Sequence, residues 1–152
     1  MDFIYNDGGR SKYFKATSVG DCSIRAICNA TGLDYKQVYN DLKRLNNGET
    51  CRNGTPKKVS KKYLKQLGWE RVATMQIGKG CTMHLCKEEL PKGILIVQVS
   101  KHLTCVKDGV IYDTYNCSYQ QCYDDYGDLI TIEDKRCVYG YWYKKEQRKG
   151  VR

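Results

Sequence analysis

The chain has 152 residues, 41% of them hydrophobic, and a formal charge of +9 from twenty-six Lys and Arg against seventeen Asp and Glu. That length and apolar content fit one folded domain and argue against a disordered tail; no run nears the roughly 18 apolar residues of a spanning helix. The positive field draws nucleic acid, acidic proteins or anionic surfaces, although "TPKKVSKKYLK" (55–65) and "YKKEQRKGVR" (143–152) carry much of it and read first as solvated faces.

The opening "MDFIYNDGGRSK" lacks the basic-then-apolar layout of a signal peptide, which sets the expectation of a cytoplasmic protein with no membrane partner. Nine cysteines, an odd number, are therefore expected to be mostly reduced.

Residues 1–17 read as irregular, with Gly8-Gly9 as a turn. A helix is predicted from Cys22, with Asp21 as N-cap, Ile24, Ile27 and Cys28 at helical spacing, and Gly32 as its stop. A second spans Tyr35 to Leu45 behind Asp34, carrying Val38, Tyr39, Leu42 and Leu45 along one stripe. After a polar loop (46–58), a short helix runs from Ser60 to Leu67, and "ERVATMQI" (70–77) is a strand. "GKGC" turns the chain, and Lys87 to Leu90 add one helical turn before Pro91.

The second half reads as sheet. "ILIVQVS" (94–100) is a continuous β-branched run, hence a strand buried on both faces. "HLTCVK" and "VIYDTY" flank Asp108-Gly109, a strong hairpin signal, and "RCVYGYWYK" (136–144) is a late strand. Helices first and a meandering antiparallel sheet afterwards indicate α+β, as a single domain over 1–145 with a basic tail at 146–152.

The hairpin places chemistry. With Asp108 and Gly109 as the loop, Lys107 pairs with Val110, Val106 with Ile111, Thr104 with Asp113 and His102 with Tyr115. Side chains alternate, so His102, Thr104, Asp113 and Tyr115 share a face, and His102 and Asp113 are diagonal neighbours. A histidine oriented by a carboxylate is half of a nucleophilic apparatus. The other half is a thiol favoured as thiolate, which a helix N-terminus provides, and Cys22 has that place. His102 would hold the proton of Cys22, Asp113 would fix the ring tautomer, and the backbone N–H of Cys22 would face a developing oxyanion. Cys28 lies deeper in the helix and Cys105 points away from the His102 face. The competing use of these residue types is a metal set of Cys81, His84 and Cys86 from "CTMHLC", completed by Cys51 or Cys105. Its spacing lacks paired C-x-x-C knuckles, so no metal and no cofactor are expected.

The order Cys at a helix start, then His, then Asp on late strands resembles the papain-like cysteine peptidase superfamily. "GDCSIRAI" is similar to nucleophile segments of its small members, including the peptidase domains of bacteriocin exporters and, more loosely, ovarian-tumour-type deubiquitinases. Together, "GDCSIRAICNATG", "TMQIGKGC", "ELPKGILIVQVSKHLTCVKDGVIYDT" and "RCVYGYW" resemble a small family of bacteriophage and bacterial proteins assigned as papain-like peptidases, over roughly residues 15 to 143.

The resemblance implies a papain-like fold, with N-terminal helices packed on an antiparallel sheet, and a Cys22-His102-Asp113 triad hydrolysing peptide or isopeptide bonds. It also implies a protein or peptide substrate, from the host or the virion, met in a host-cell cytoplasm or in the virion. The chain departs from the superfamily in lacking a Gln shortly before the Cys, where Phe-Lys-Ala-Thr-Ser-Val stands, and a Trp after it. Ser18 or Thr17 is the expected substitute oxyanion donor, with a donor from another loop as the alternative. Two further functions fit the sequence: a catalytically silent protein-binding form of the same fold, and a nucleic-acid binder using its basic faces and thirteen tyrosines.

Overall fold

Asp108 and Gly109 both adopt positive φ (48° and 79°), the turn that matches strand twist, and they fold β6 (His102–Lys107) onto β7 (Val110–Asp113). The pairs Lys107 with Val110 and Val106 with Ile111 are those the sequence predicts, and Cys105 with Tyr112 continues the register; the ladder ends there, short of the expected Thr104–Asp113 and His102–Tyr115 pairs. In the computed structural model, which describes residues 1–15 and 20–145, this hairpin is the middle of a six-stranded sheet. Its other members are β1 (Asp2–Tyr5), β2 (Trp69–Ala73), β5 (Ile94–Val99) and β10 (Gly140–Lys144), in the order β1-β7-β6-β5-β10-β2. Two small hairpins stand apart: β3 (Met75–Gln76) with β4 (Gly80–Cys81), and β8 (Tyr119–Tyr123) with β9 (Leu129–Glu133).

The apolar run of β5 is buried on both faces, as its composition predicts. Ile96 faces the helices α1 (Cys22–Thr31), α2 (Tyr35–Leu45) and α3 (Lys57–Gln66), packing with Ile24, Ile27, Val38, Leu42 and Trp142. Leu95, Val97 and Val99 face the other way, against Val106, Ile111, Leu85 and Val138. The architecture is α+β, a helical layer on one face of a mixed sheet. None of the described helices is long and apolar enough to cross a membrane.

Several expectations require correction. The N-terminal segment is not irregular: β1 pairs in parallel with β7, so the sheet is mixed and not purely antiparallel. Only Phe3 of β1 is partly buried against the core, and a four-residue edge strand leaves little periodicity to read. The strand expected over 70–77 breaks at Thr74, whose N–H and hydroxyl donate to the carbonyls of Tyr139 and Val138. The late strand begins at Gly140 and not at 136; Cys137 makes an isolated bridge to His84 instead. α3 starts at Lys57, behind Pro56, rather than at Ser60. Residues 87–90 form a single turn closed onto the Cys86 carbonyl. Cys81 and Cys137 form a disulfide, whereas seven cysteines are free. The tail at 146–152 lies outside the described residues.

Candidate active site

Cys22 opens α1, and the residue before it does not act as the cap that its type suggests. The Asp21 carboxylate, fully buried, accepts from Arg10 (3.0 Å), from Arg25 one turn on and from Tyr35 Oη (2.6 Å), and makes no side-chain cap. The first N–H groups of α1 keep their positive field for whatever lies at Cys22. Beside it, the Asn53 backbone packs against Gly20, where a Cβ would lie 3.3 Å from it.

His102 begins β6, where the N-terminal end of α1 packs. Its Nε2 meets Asp113 Oδ2 at 2.7 Å, and its Nδ1 lies 3.2 Å from Tyr115 Oη, with the two rings tilted at 5.1 Å between centroids. Asp113 is held from every side: Thr104 Oγ1 donates at 2.7 Å, its own neighbour's N–H (Thr114) at 2.7 Å, and Arg25 Nη2 at 3.2 Å. Arg25 thus bridges two buried carboxylates, Asp21 and Asp113, and ties the start of α1 to the end of β7.

The electrostatics follow from this packing. Burial alone would raise the Cys22 thiol, but the hydrogen bond and charge of His102, the Leu103 N–H and the Arg25 charge together bring it below its ordinary value. Burial likewise works against a charged imidazole, yet hydrogen bonds to Asp113, Cys117 and Cys22 lift His102 well above its ordinary range. Asp113 is pulled down, its burial outweighed by His102, Thr104 and Arg25. The pair of shifts favours thiolate with imidazolium over thiol with imidazole. Cys28 and Cys105 behave oppositely: burial pushes both thiols up to about 12.

Of the three predicted catalytic positions, His102 and Asp113 are joined by a hydrogen bond, and Cys22 lines one cleft together with His102. Thr17 and Ser18, the expected oxyanion donors, lie outside the described residues. The metal set of Cys81, His84 and Cys86 with Cys51 or Cys105 does not assemble. Cys81 spends its sulfur on Cys137, Cys86 donates to Glu89, and Cys51 and Cys105 are fully buried. Among the described residues, His102, Asp113 and Cys117 do bring one ligand atom each within 4.8 Å of one another. The Arg25 guanidinium on Asp113 opposes a dication there.

Arg25 is the participant that residue-by-residue reading missed. Its one sequence signal is a charged residue four after Asp21 inside an otherwise apolar helix. Tyr115 was placed opposite His102 by the hairpin register, but its contact with Nδ1 was not foreseen.

The triad opens into a cleft of about 790 Å³ between the α3 side and the sheet, reached by Cys22, Ser23, Asn53, Gln98, His102 and Trp142 among others. No protein-family model, curated protein or solved structure matches the chain.

Proposed function

We propose that the chain is a papain-like cysteine hydrolase of peptide or isopeptide bonds, with Cys22 as nucleophile, His102 as acid and base, and Asp113 as the group that orients His102. The observation that carries this reading is the His102–Asp113 hydrogen bond beside Cys22 at an uncapped helix N-terminus, with Cys22 and His102 both lining a cleft of about 790 Å³. Because Nε2 is engaged by Asp113, proton transfer falls to Nδ1. The Cys22 thiolate attacks the carbonyl carbon, and the oxyanion forms against the Cys22 N–H at the start of α1. Imidazolium then gives its proton to the departing amine, leaving a thioester on Cys22. Water, deprotonated by the neutral ring, attacks that thioester; the acid leaves and the thiolate returns. The resemblance of the nucleophile and hairpin segments to a bacteriophage and bacterial family supports a host or virion protein as substrate, in a cytoplasmic setting.

The test is hydrolysis of a mixed peptide substrate by the protein and by Cys22→Ala and His102→Ala, with the thioester trapped by hydroxylamine. Turnover lost in both variants is the expected result; equal turnover in wild type and Cys22→Ala contradicts the reading. A silent binding protein on the same fold is the second reading, favoured by one feature. The β8–β9 hairpin stands off the sheet with Tyr123, Tyr126 and Leu129 exposed at its tip, a surface that hydrolysis at Cys22 does not use. Binding without hydrolysis in that assay would establish it.

A further inference from the structure

The cleft beside Cys22 is electrically one-sided. Lys57, Lys61, Arg71 and Lys101 reach it, and no Asp or Glu does among the described residues that line it. Lys57 and Lys61 are four apart and share a face of α3, and Lys101 stands at the positive-φ turn next to His102.

Arg71 is more than a rim charge, because the sheet is shaped to carry it. In the register, Ala73, Gly140, Gln98 and Leu103 form one row across β2, β10, β5 and β6, and the Leu103 N–H at the end of that row supports Cys22. Arg71 stands two residues away on β2, opposite Trp142, and its guanidinium crosses diagonally over Gly140 to donate to Gln98 Oε1 at 2.9 Å. A Cβ on residue 140 would fall 2.6 Å from Arg71 Nη2, so a side chain there would push the guanidinium off this path. One N–H of the fork is held by Gln98, and the remaining donors are left for a planar anion.

We infer that the cleft selects substrates with a carboxylate side chain, bound by Arg71, two to three residues from the scissile bond. The inference rests on the thiol-hydrolase reading above. The spacing follows from strand geometry: Gly140 lies two strands from Leu103, about 10 Å, which an extended peptide covers in about three residues. A guanidinium fork pairs bidentately with carboxylate, and the lysines on the walls set a field that draws acidic chains in. Nucleic acid fits less well. Single strands need a series of exposed aromatic platforms, and the exposed Tyr123 and Tyr126 lie on the β8–β9 hairpin, outside the cleft, whose own aromatics are the buried Trp142 and the half-buried Tyr139.

The experiment is digestion of a synthetic peptide mixture by the full chain, with cut sites read by mass spectrometry. Wild type, Arg71→Gln and Gly140→Ala are compared, and Cys22 alkylation by iodoacetamide is followed in parallel. Expected is an enrichment of about tenfold or more for Asp or Glu over Gln or Lys two to three residues from the cut, falling towards one in both variants. Cutting without an acidic preference, or with a preference unchanged by Arg71→Gln and Gly140→Ala, overturns the inference and leaves the hydrolase standing. Absence of any cut removes the hydrolase reading and this inference with it. A DNA or RNA oligonucleotide that shields Cys22 from iodoacetamide, where a Glu-containing peptide does not, assigns the cleft to phosphates and overturns the inference.

Discussion

Each of the two histidines, His84 and His102, has a carboxylate and a cysteine beside it, and the two settings differ. Around His84, Cys81 Sγ lies 3.6 Å from Nε2, and Glu89 Oε1 lies 3.2 Å from Nδ1. At the cleft, Asp113 holds His102, which in turn acts on Cys22. The order of residue types is the same in both. The environments differ: the His84 and Glu89 side chains are 42% and 38% exposed, those of His102 and Asp113 only 7% and 3%. Water screens the first pair and spares the second, whose carboxylate is further fixed by Arg25 and Thr104. Cys22 also has a helix N-terminus, whereas Cys81 has a disulfide to Cys137. The neighbouring thiol Cys86 is pushed up by burial and by its hydrogen bond to Glu89. Burial, backing charges and a helix end are thus what set the proposed Cys22 run apart from the one around His84.

The largest expected break in the comparison comes from the two histidines. His102→Ala should lower peptide turnover by about 10²–10⁴-fold, the worth of a positioned acid and base, while His84→Ala leaves it within a few-fold. Steady-state kinetics on one substrate decides it.

The carboxylates should separate next, in stability. Asp113→Ala strands Arg25 without one of its two buried partners and should cost about 3–5 kcal/mol in urea unfolding, whereas Glu89→Gln should leave the transition where it was. Asp113→Asn keeps the shape and isolates the charge. The folded Asp113 carboxyl sits below its unfolded value and the His102 imidazolium above its own. The stabilisation from their pairing is therefore complete between about pH 4 and about pH 6.5, the two unfolded values. It fades on the acid side as pH falls through the folded value of Asp113, and on the alkaline side as pH rises towards the raised value of His102. The stability gap between wild type and Asp113→Asn should follow that profile.

Cutting the cross-link beside His84 has a smaller and different effect. The Cys81–Cys137 disulfide closes a loop with a sequence separation of 56, so Cys137→Ser should lose about 2–4 kcal/mol under oxidising conditions and nothing once dithiothreitol is present. Cys22 alkylation should not change. Tyr115→Phe should be the mildest change, shifting turnover only a few-fold, because the hydroxyl at Nδ1 is half-exposed and water can replace it.

The proposed run was legible in the sequence because each of its parts is local. Asp108-Gly109 sets the β6–β7 register, the register aligns His102 with Asp113, and the helical pattern after Asp21 places Cys22 at an N-terminus. What was hidden is long-range. Arg25 meets a carboxylate 88 residues away, β1 pairs in parallel with a strand more than 100 residues on, and Cys81 finds Cys137 among eight other thiols. Asp21 was misjudged for a related reason: its type and position suit a cap, and only the fold brings Arg10 and Tyr35 around it. The β8–β9 hairpin went unread because its ten strand residues are nearly all exposed, so no burial pattern marks it.

The central claim is that His102 lowers the Cys22 thiol below its ordinary value, whereas burial pushes Cys28 and Cys105 up. Its most direct test is the rate of iodoacetamide alkylation of Cys22 as a function of pH, mapped by peptide, in wild type and His102→Ala. The account predicts a wild-type midpoint below the ordinary thiol value of 9.0, with Cys28 and Cys105 unmodified in that range, and an upward move of the midpoint in His102→Ala. A midpoint at or above 9.0 that His102→Ala leaves in place would contradict it.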